Sequence, residues 1–241
     1  MRSRIKNTVS DIVFLLRSVP SPIVTLLVFS VVLMNLLANK TIYQHGFLAV
    51  DGGIVVSWLA FLCMDIITKR FGARAATRIS IFALAVNLLC VGIFAAVSVI
   101  PTQTDYTAFN TIFGGSWFIV LSSSLAFLAS AIVNNVSNVA IGGLFKANPD
   151  GRAAYYTRSY LSTFVAQFVD NFVFASLVFM VFAPIYWGGF SWTLPQCVTC
   201  SLIGAVLELF MEVIFSPIGY DVCRRWQQQN VGNAYLQAHA A

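Results

Sequence analysis

From Ile79 to Ile100 no residue carries a charge, and five further stretches are nearly as apolar: Ile23–Ala38, Gly53–Thr68, Trp117–Phe145, Leu161–Tyr186 and Leu194–Ile218. These runs constrain the chain more than anything else in it. The hydrocarbon core of a bilayer is about 30 Å thick, and a helix that crosses it needs about 20 mainly apolar residues. In lipid only helices and closed barrels satisfy every backbone group, and barrel strands alternate over about ten residues. The runs here are continuously apolar, so the expectation is an all-α polytopic membrane protein with six transmembrane helices. Composition agrees. Hydrophobic residues make up 59% of the chain and charged residues 10%, where a soluble domain carries about 25% charged. So little charge also excludes a disordered chain. The net charge is +5, but the basic residues form no single patch. The expected partner is therefore the lipid bilayer and not a nucleic acid.

The basic residues give the orientation, because cytoplasmic loops are enriched in them. The N-terminal arm holds Arg2, Arg4, Lys6 and Arg17. The connection after span two holds Lys69, Arg70, Arg74 and Arg78, and that after span four holds Lys146, Arg152 and Arg158. The tail holds Arg224 and Arg225, and only Lys40 falls on the other side. Both termini are expected in the cytoplasm. The chain reads as one transmembrane domain, 1–241, with an amphipathic helix over 1–20 and a cytoplasmic tail over 221–241. Ile5, Val9, Ile12, Leu16 and Val19 form a stripe of helical period, lying in the inner interface or packing under the bundle until Pro20 and Pro22 end it. The longest outer connection, Pro101–Ser116, is expected to be a surface loop.

Ionisable groups at membrane depth are costly, and each is a functional candidate. Asp170 is about nine residues into span five, which at about 1.5 Å per residue places it near the midplane. Gln167 shares its face and Asn171 lies beside it. Asp170 is a ligand or ion site, or a buried hydrogen-bond hub. Glu208 and Glu212 are one turn apart on span six. Two carboxylates that close do not both ionise easily in a low dielectric, which suits proton coupling or a cationic substrate. Alternatively, Glu212 lies at the inner interface beside an arginine. Asn134, Asn135 and Asn138 on span four line a site or hold helices together. Asp65, with Lys69 one turn on, is a loop-locking ion pair or a ligand contact. Asn35, Asn39 and Asn87 are weaker candidates.

Catalytic readings find little support. The histidines are His45 and His239, far apart in the chain, and there is no nucleophile–base pair or phosphate-binding loop. No enzyme activity, metal or cofactor is expected. Cys197 and Cys200 could form a disulfide or metal pair, but apolar packing is the preferred reading.

Three elements resemble the queuosine precursor transporter family (the YhhQ or VUT family). Asp65-Ile66 through Lys69-Arg70-Phe71-Gly72 is similar to that family's element after span two. Arg158, Ser162, Gln167 and Asp170 are similar in spacing to the one opening span five, and Glu212, Pro217 and Tyr220 to the close of span six. The resemblance implies uptake of 7-deazaguanine bases with a cyano or aminomethyl group, or of queuine, across a bacterial cytoplasmic membrane for tRNA modification. Alternating access would work around a central site between spans two, four, five and six. Asp170, Gln167, Glu208, Asn134, Asn135, Asn138 and Asn171 would bind substrate, and Glu212, Asp65 and Arg158 would couple or gate. Many relatives carry Lys where this chain has Glu208, and Gln and Asp near Asn135 and Asn138, so substrate charge is open. A homodimer is also left open. The rival readings are the substrate-binding subunit of an ATP-driven vitamin uptake complex and a structural membrane protein without substrate.

Overall fold

The structure, a computed structural model, describes residues 2–142 and 152–239. Helices dominate it, as the apolar runs require. They are α1 (Arg2–Ser18), α2 (Ser21–Leu37), α3 (Ile54–Phe71), α4 (Ala73–Ser98), α5 (Thr107–Gly114), α6 (Trp117–Gly142), α7 (Arg152–Ala175), α8 (Ala183–Tyr186), α9 (Leu194–Gln228) and α10 (Asn233–Ala238). A π-helical stretch, Ser176–Phe182, joins α7 to α8. A hairpin of β1 (Thr41–His45) and β2 (Leu48–Asp51) separates α2 from α3.

Four segments are long and apolar enough to cross a membrane: Ala73–Ser98, Thr107–Asn134, Tyr160–Tyr186 and Leu194–Gln228. A fifth is the pair Ser10–Ser18 and Ser21–Leu37, bent by 109°. The bend falls at Val19-Pro20, where a proline ring disfavours helix in the residue before it. The sixth expected span, Gly53–Thr68, is helix α3, and Asp65, Lys69 and Arg70 shorten its apolar part. Two expectations need correction. The connection Pro101–Ser116 is not all loop, because Phe109, Ile112 and Phe113 give α5 an apolar face. The hairpin follows the alternating, β-branched and aromatic Thr41–His45 segment and was not foreseen.

The chain divides into two compact units. The first comprises Met1–Leu33, Val56–Leu89 and Met211–Ala241. Within it Val19 of the apolar stripe is buried, Ile12 and Leu16 are half-buried, and Leu15 beside the stripe is buried. Phe14, Phe71, Trp226 and Tyr235 form a ring cluster. The Arg70 guanidinium donates to Val231 O at 2.7 Å and Asn233 Oδ1 at 2.8 Å. Asp11 pairs with Arg78 and lies 2.8 Å from His239 Nε2. Residues 231–239 are thereby tied to α1, α3 and α4. Gly72, at φ +87°, ends α3 in the left-handed conformation that favours glycine.

The second unit comprises Met34–Val55 and Cys90–Phe210. Its core holds Phe118, Ile119, Ala175, Val178, Phe179, Trp192, Cys197 and Cys200. Phe179 stacks on Trp192 with centroids 3.8 Å apart. Both cysteines are buried free thiols, and Cys200 Sγ lies 3.5 Å from Asp51 Oδ2. The hairpin is tied to the start of α9: Gln196 Nε2 donates to Gly46 O at 2.9 Å, and Thr199 Oγ1 donates to Phe47 O at 2.6 Å.

Candidate functional site

Helices α6, α7 and α9 bring the polar residues of the second unit together. Helix α7 carries Gln167, Asp170 and Asn171 within little more than one turn. Helix α6 brings Ser130, whose one hydroxyl proton is shared between Asp170 Oδ1 at 2.9 Å and its own helix's Phe127 O at 3.1 Å. A single hydroxyl fills a small part of a carboxylate's acceptor capacity. Among the described residues no Lys or Arg forms an ion pair with Asp170. Gln167 is 2% exposed, and its Oε1 is buried with no donor. Asn134, one turn beyond Ser130 on α6, also has a buried Oδ1 without a donor. A buried acceptor left unpaired costs about 1–3 kcal/mol, so both amides are poised for an N–H from elsewhere.

The third helix contributes Glu208, which is 1% exposed. Asn171 Nδ2 donates to its Oε2 at 3.3 Å. This contact depends on Gly204, one turn earlier on α9. A methyl group there would stand 2.8 Å from Asn171 Nδ2 and 3.2 Å from Ile54 Cδ1. The glycine lets the amide lie against the helix and reach the carboxylate.

Asp65 and Glu212 belong to the first unit. Asp65 Oδ2 lies 3.9 Å from Lys69 Nζ, and the Asp65 and Glu212 carboxyl groups are within hydrogen-bonding reach. A hydrogen bond between two carboxyl groups holds one proton. The sequence puts Glu212 on one face with Glu208, one of the two protonated or matched by a cation, or at the inner interface beside an arginine; in the structure its neighbours are Asp65 and the cation Lys69. The reason is local packing of α3 on this half of α9: Trp58 stacks on Phe215 at 4.8 Å, and Gly219 gives Ile66 and Leu62 room to close in.

The sequence reading missed Ser130 as a partner of Asp170, and also missed Gly204. The side chains of Asn135, Asn138 and Arg158 lie outside the described residues. Asn35 and Asn87 are buried. Asp51, on the hairpin, is a further buried acid that the sequence placed in a loop. Burial pushes its carboxyl above the ordinary value, against hydrogen bonds from Gly53 N–H, at 2.6 Å, and the Cys200 thiol.

Asp170, the amide oxygens of Gln167 and Asn134, and Glu208 with its Asn171 partner set acceptors along α6, α7 and α9. Acceptors of this kind suit N–H donors, because a poorer donor leaves them unpaired. No curated protein and no solved structure matches the chain. Residues 51–222 do match the model of the family described as "Putative vitamin uptake transporter", and the chain, a helical membrane protein with several apolar spans, belongs to that family.

Proposed function

We propose that this protein carries queuosine precursors, 7-deazaguanine bases with a cyano or aminomethyl group or queuine itself, into the cell across a bacterial cytoplasmic membrane. It does so through six spans with both termini in the cytoplasm, opening alternately to either side. The observation that carries this reading is the setting of Asp170, a carboxyl group deep in an apolar helix whose partner is the neutral Ser130 hydroxyl. A guanine-like edge presents adjacent N–H donors that a carboxylate accepts as a pair. Gln167 and Asn134 would take further N–H groups of the base. Glu208 would meet an aminomethyl cation, with Asn171 holding it in place. Asp65 and Glu212 would share and release a proton as the carrier changes state, which suits uptake against a gradient. Asn135, Asn138 and Arg158 complete the proposed set.

The test is thermal-shift binding of a panel of 7-deazaguanines to the purified protein. Ligands that bind the folded state raise its stability with concentration over Kd. Wild type should be stabilised by the deazaguanines and not by adenine. Asp170→Asn should weaken binding about 10–100-fold, the range expected for losing a charge-assisted hydrogen-bond pair. Equal binding by that variant, or no stabilisation of wild type, overturns the reading.

A further inference from the structure

The second unit has an open depression of about 360 Å³, lined by Asn39, Thr111, Ile112, Tyr186, Trp187 and Gly188. It is well separated from Asp170 along the chain's own axis. Tyr186 follows Asp170 by 16 residues of nearly continuous helix, or about 24 Å at 1.5 Å per residue. The depression lies where α2 ends, α5 runs and α8 turns. Of the connections on this side, 99–116 and 187–193 carry no Lys or Arg, and 38–53 carries Lys40 alone.

Its walls are of two kinds. One is aromatic and rigid. Tyr186 stacks on Phe118 with centroids 5.3 Å apart at 14°, Phe118 stacks on Phe182 at 5.5 Å, and Trp117 meets Tyr186 edge-on at 5.6 Å. Trp187 stands edge-on to Phe118 at 5.5 Å. The other wall is polar. Asn39 commits its amide N–H groups to Leu36 O at 2.9 Å and Ser116 Oγ at 3.4 Å. That fixes which way the amide faces and leaves Oδ1 buried without a donor. Thr111 donates its hydroxyl to Thr107 O at 2.8 Å, so toward a ligand it too is an acceptor. Fixed aromatic faces beside the Asn39 amide and the Thr111 hydroxyl suit a flat heterocycle with N–H groups on its edge.

The geometry points to a second binding site, a capture site that holds the planar base on the side away from the basic loops before it reaches Asp170. It rests on the carrier reading above. A site visited first raises the occupancy of the path at low substrate concentration and leaves the turnover of a filled carrier unchanged. Trp187 and Tyr186 supply the stacking surface, and Asn39 takes an N–H. Ile112 closes the side.

Uptake of 7-cyano-7-deazaguanine by cells carrying each variant tests this. Trp187→Ala, Asn39→Ala and the space-filling Ile112→Trp should each raise KM about 5–20-fold, the range expected for losing one stacking or hydrogen-bond contact, with Vmax within twofold of wild type. Purified Asp170→Asn should still show quenching of its tryptophan fluorescence by the same base, and adding Trp187→Phe should abolish that quenching. Wild-type KM in Ile112→Trp and Trp187→Ala, or loss of Vmax without change in KM, overturns the capture site while uptake by wild type stands. Uptake and quenching absent from wild type overturn both the capture site and the carrier reading.

Discussion

Asp51 shows at residue scale how burial turns an acid into a pH sensor of stability. Its folded pKa is raised above the ordinary 3.8, chiefly by desolvation, so the folded protein holds this proton more tightly than the unfolded chain does. Its contribution to stability is complete below that value and is lost as pH rises through the folded pKa. Asp51→Asn keeps an acceptor for Gly53 N–H and removes the titration. The variant's melting temperature in detergent should therefore fall less than that of wild type as pH rises above 3.8, and parallel curves would refute the assignment. The acids Asp170 and Glu208 were legible in the sequence, because a charge inside an apolar run stands out. Ser130 was not. Ser122, Ser124 and Ser201 all donate to the carbonyl one turn back in their own helix, the usual fate of a serine in a helix. Ser130 makes such a back-bond too, to Phe127 O, and spacing alone cannot tell which serine also reaches a neighbouring helix.

Helix α10 is the clearest case at the scale of elements. Gly232 caps it at φ +71°, and a side chain there would run into the Phe71 ring and stand 3.2 Å from Ser18 O. Gly232→Ala should loosen the docking of residues 230–238 by about 1–3 kcal/mol. Hydrogen exchange should show faster exchange there and unchanged protection in α6. The apolar runs made the long helices legible. The hairpin and α5 were hidden because each is short and becomes ordered through partners elsewhere in the chain, the hairpin through Gln196 and Thr199. A chain read locally does not contain those partners. The division of α9 between two settings, Glu208 beside Asn171 and Glu212 beside Asp65, was hidden for the same reason: the sequence shows two acids one turn apart and not what each faces.

For the whole molecule, the proposed topology predicts that reporter domains fused at either end are active only in the cytoplasm. A reporter after residue 104 should be active only outside. A cytoplasmic signal from that fusion would remove the six-span reading. Proton sharing by Asp65 and Glu212 predicts that Glu212→Gln, which keeps a hydrogen bond without a titrating proton, loses accumulation of base against a gradient. Exchange of internal for external base should stay within about twofold of wild type. Loss of both would point to a structural role instead. The span from α7 to α8 carries one more consequence. Its π-helical stretch, Ser176–Phe182, has the form of an extra residue absorbed without breaking the helix. Each residue of an α-helix turns the chain by about 100°. Deleting Met180 alone would return the stretch to plain α-helix, and because the wider coil had already absorbed the extra residue, Tyr186 would keep nearly its bearing relative to Asp170. The aromatic end of this span and its polar turn thus tolerate a one-residue change in the length between them.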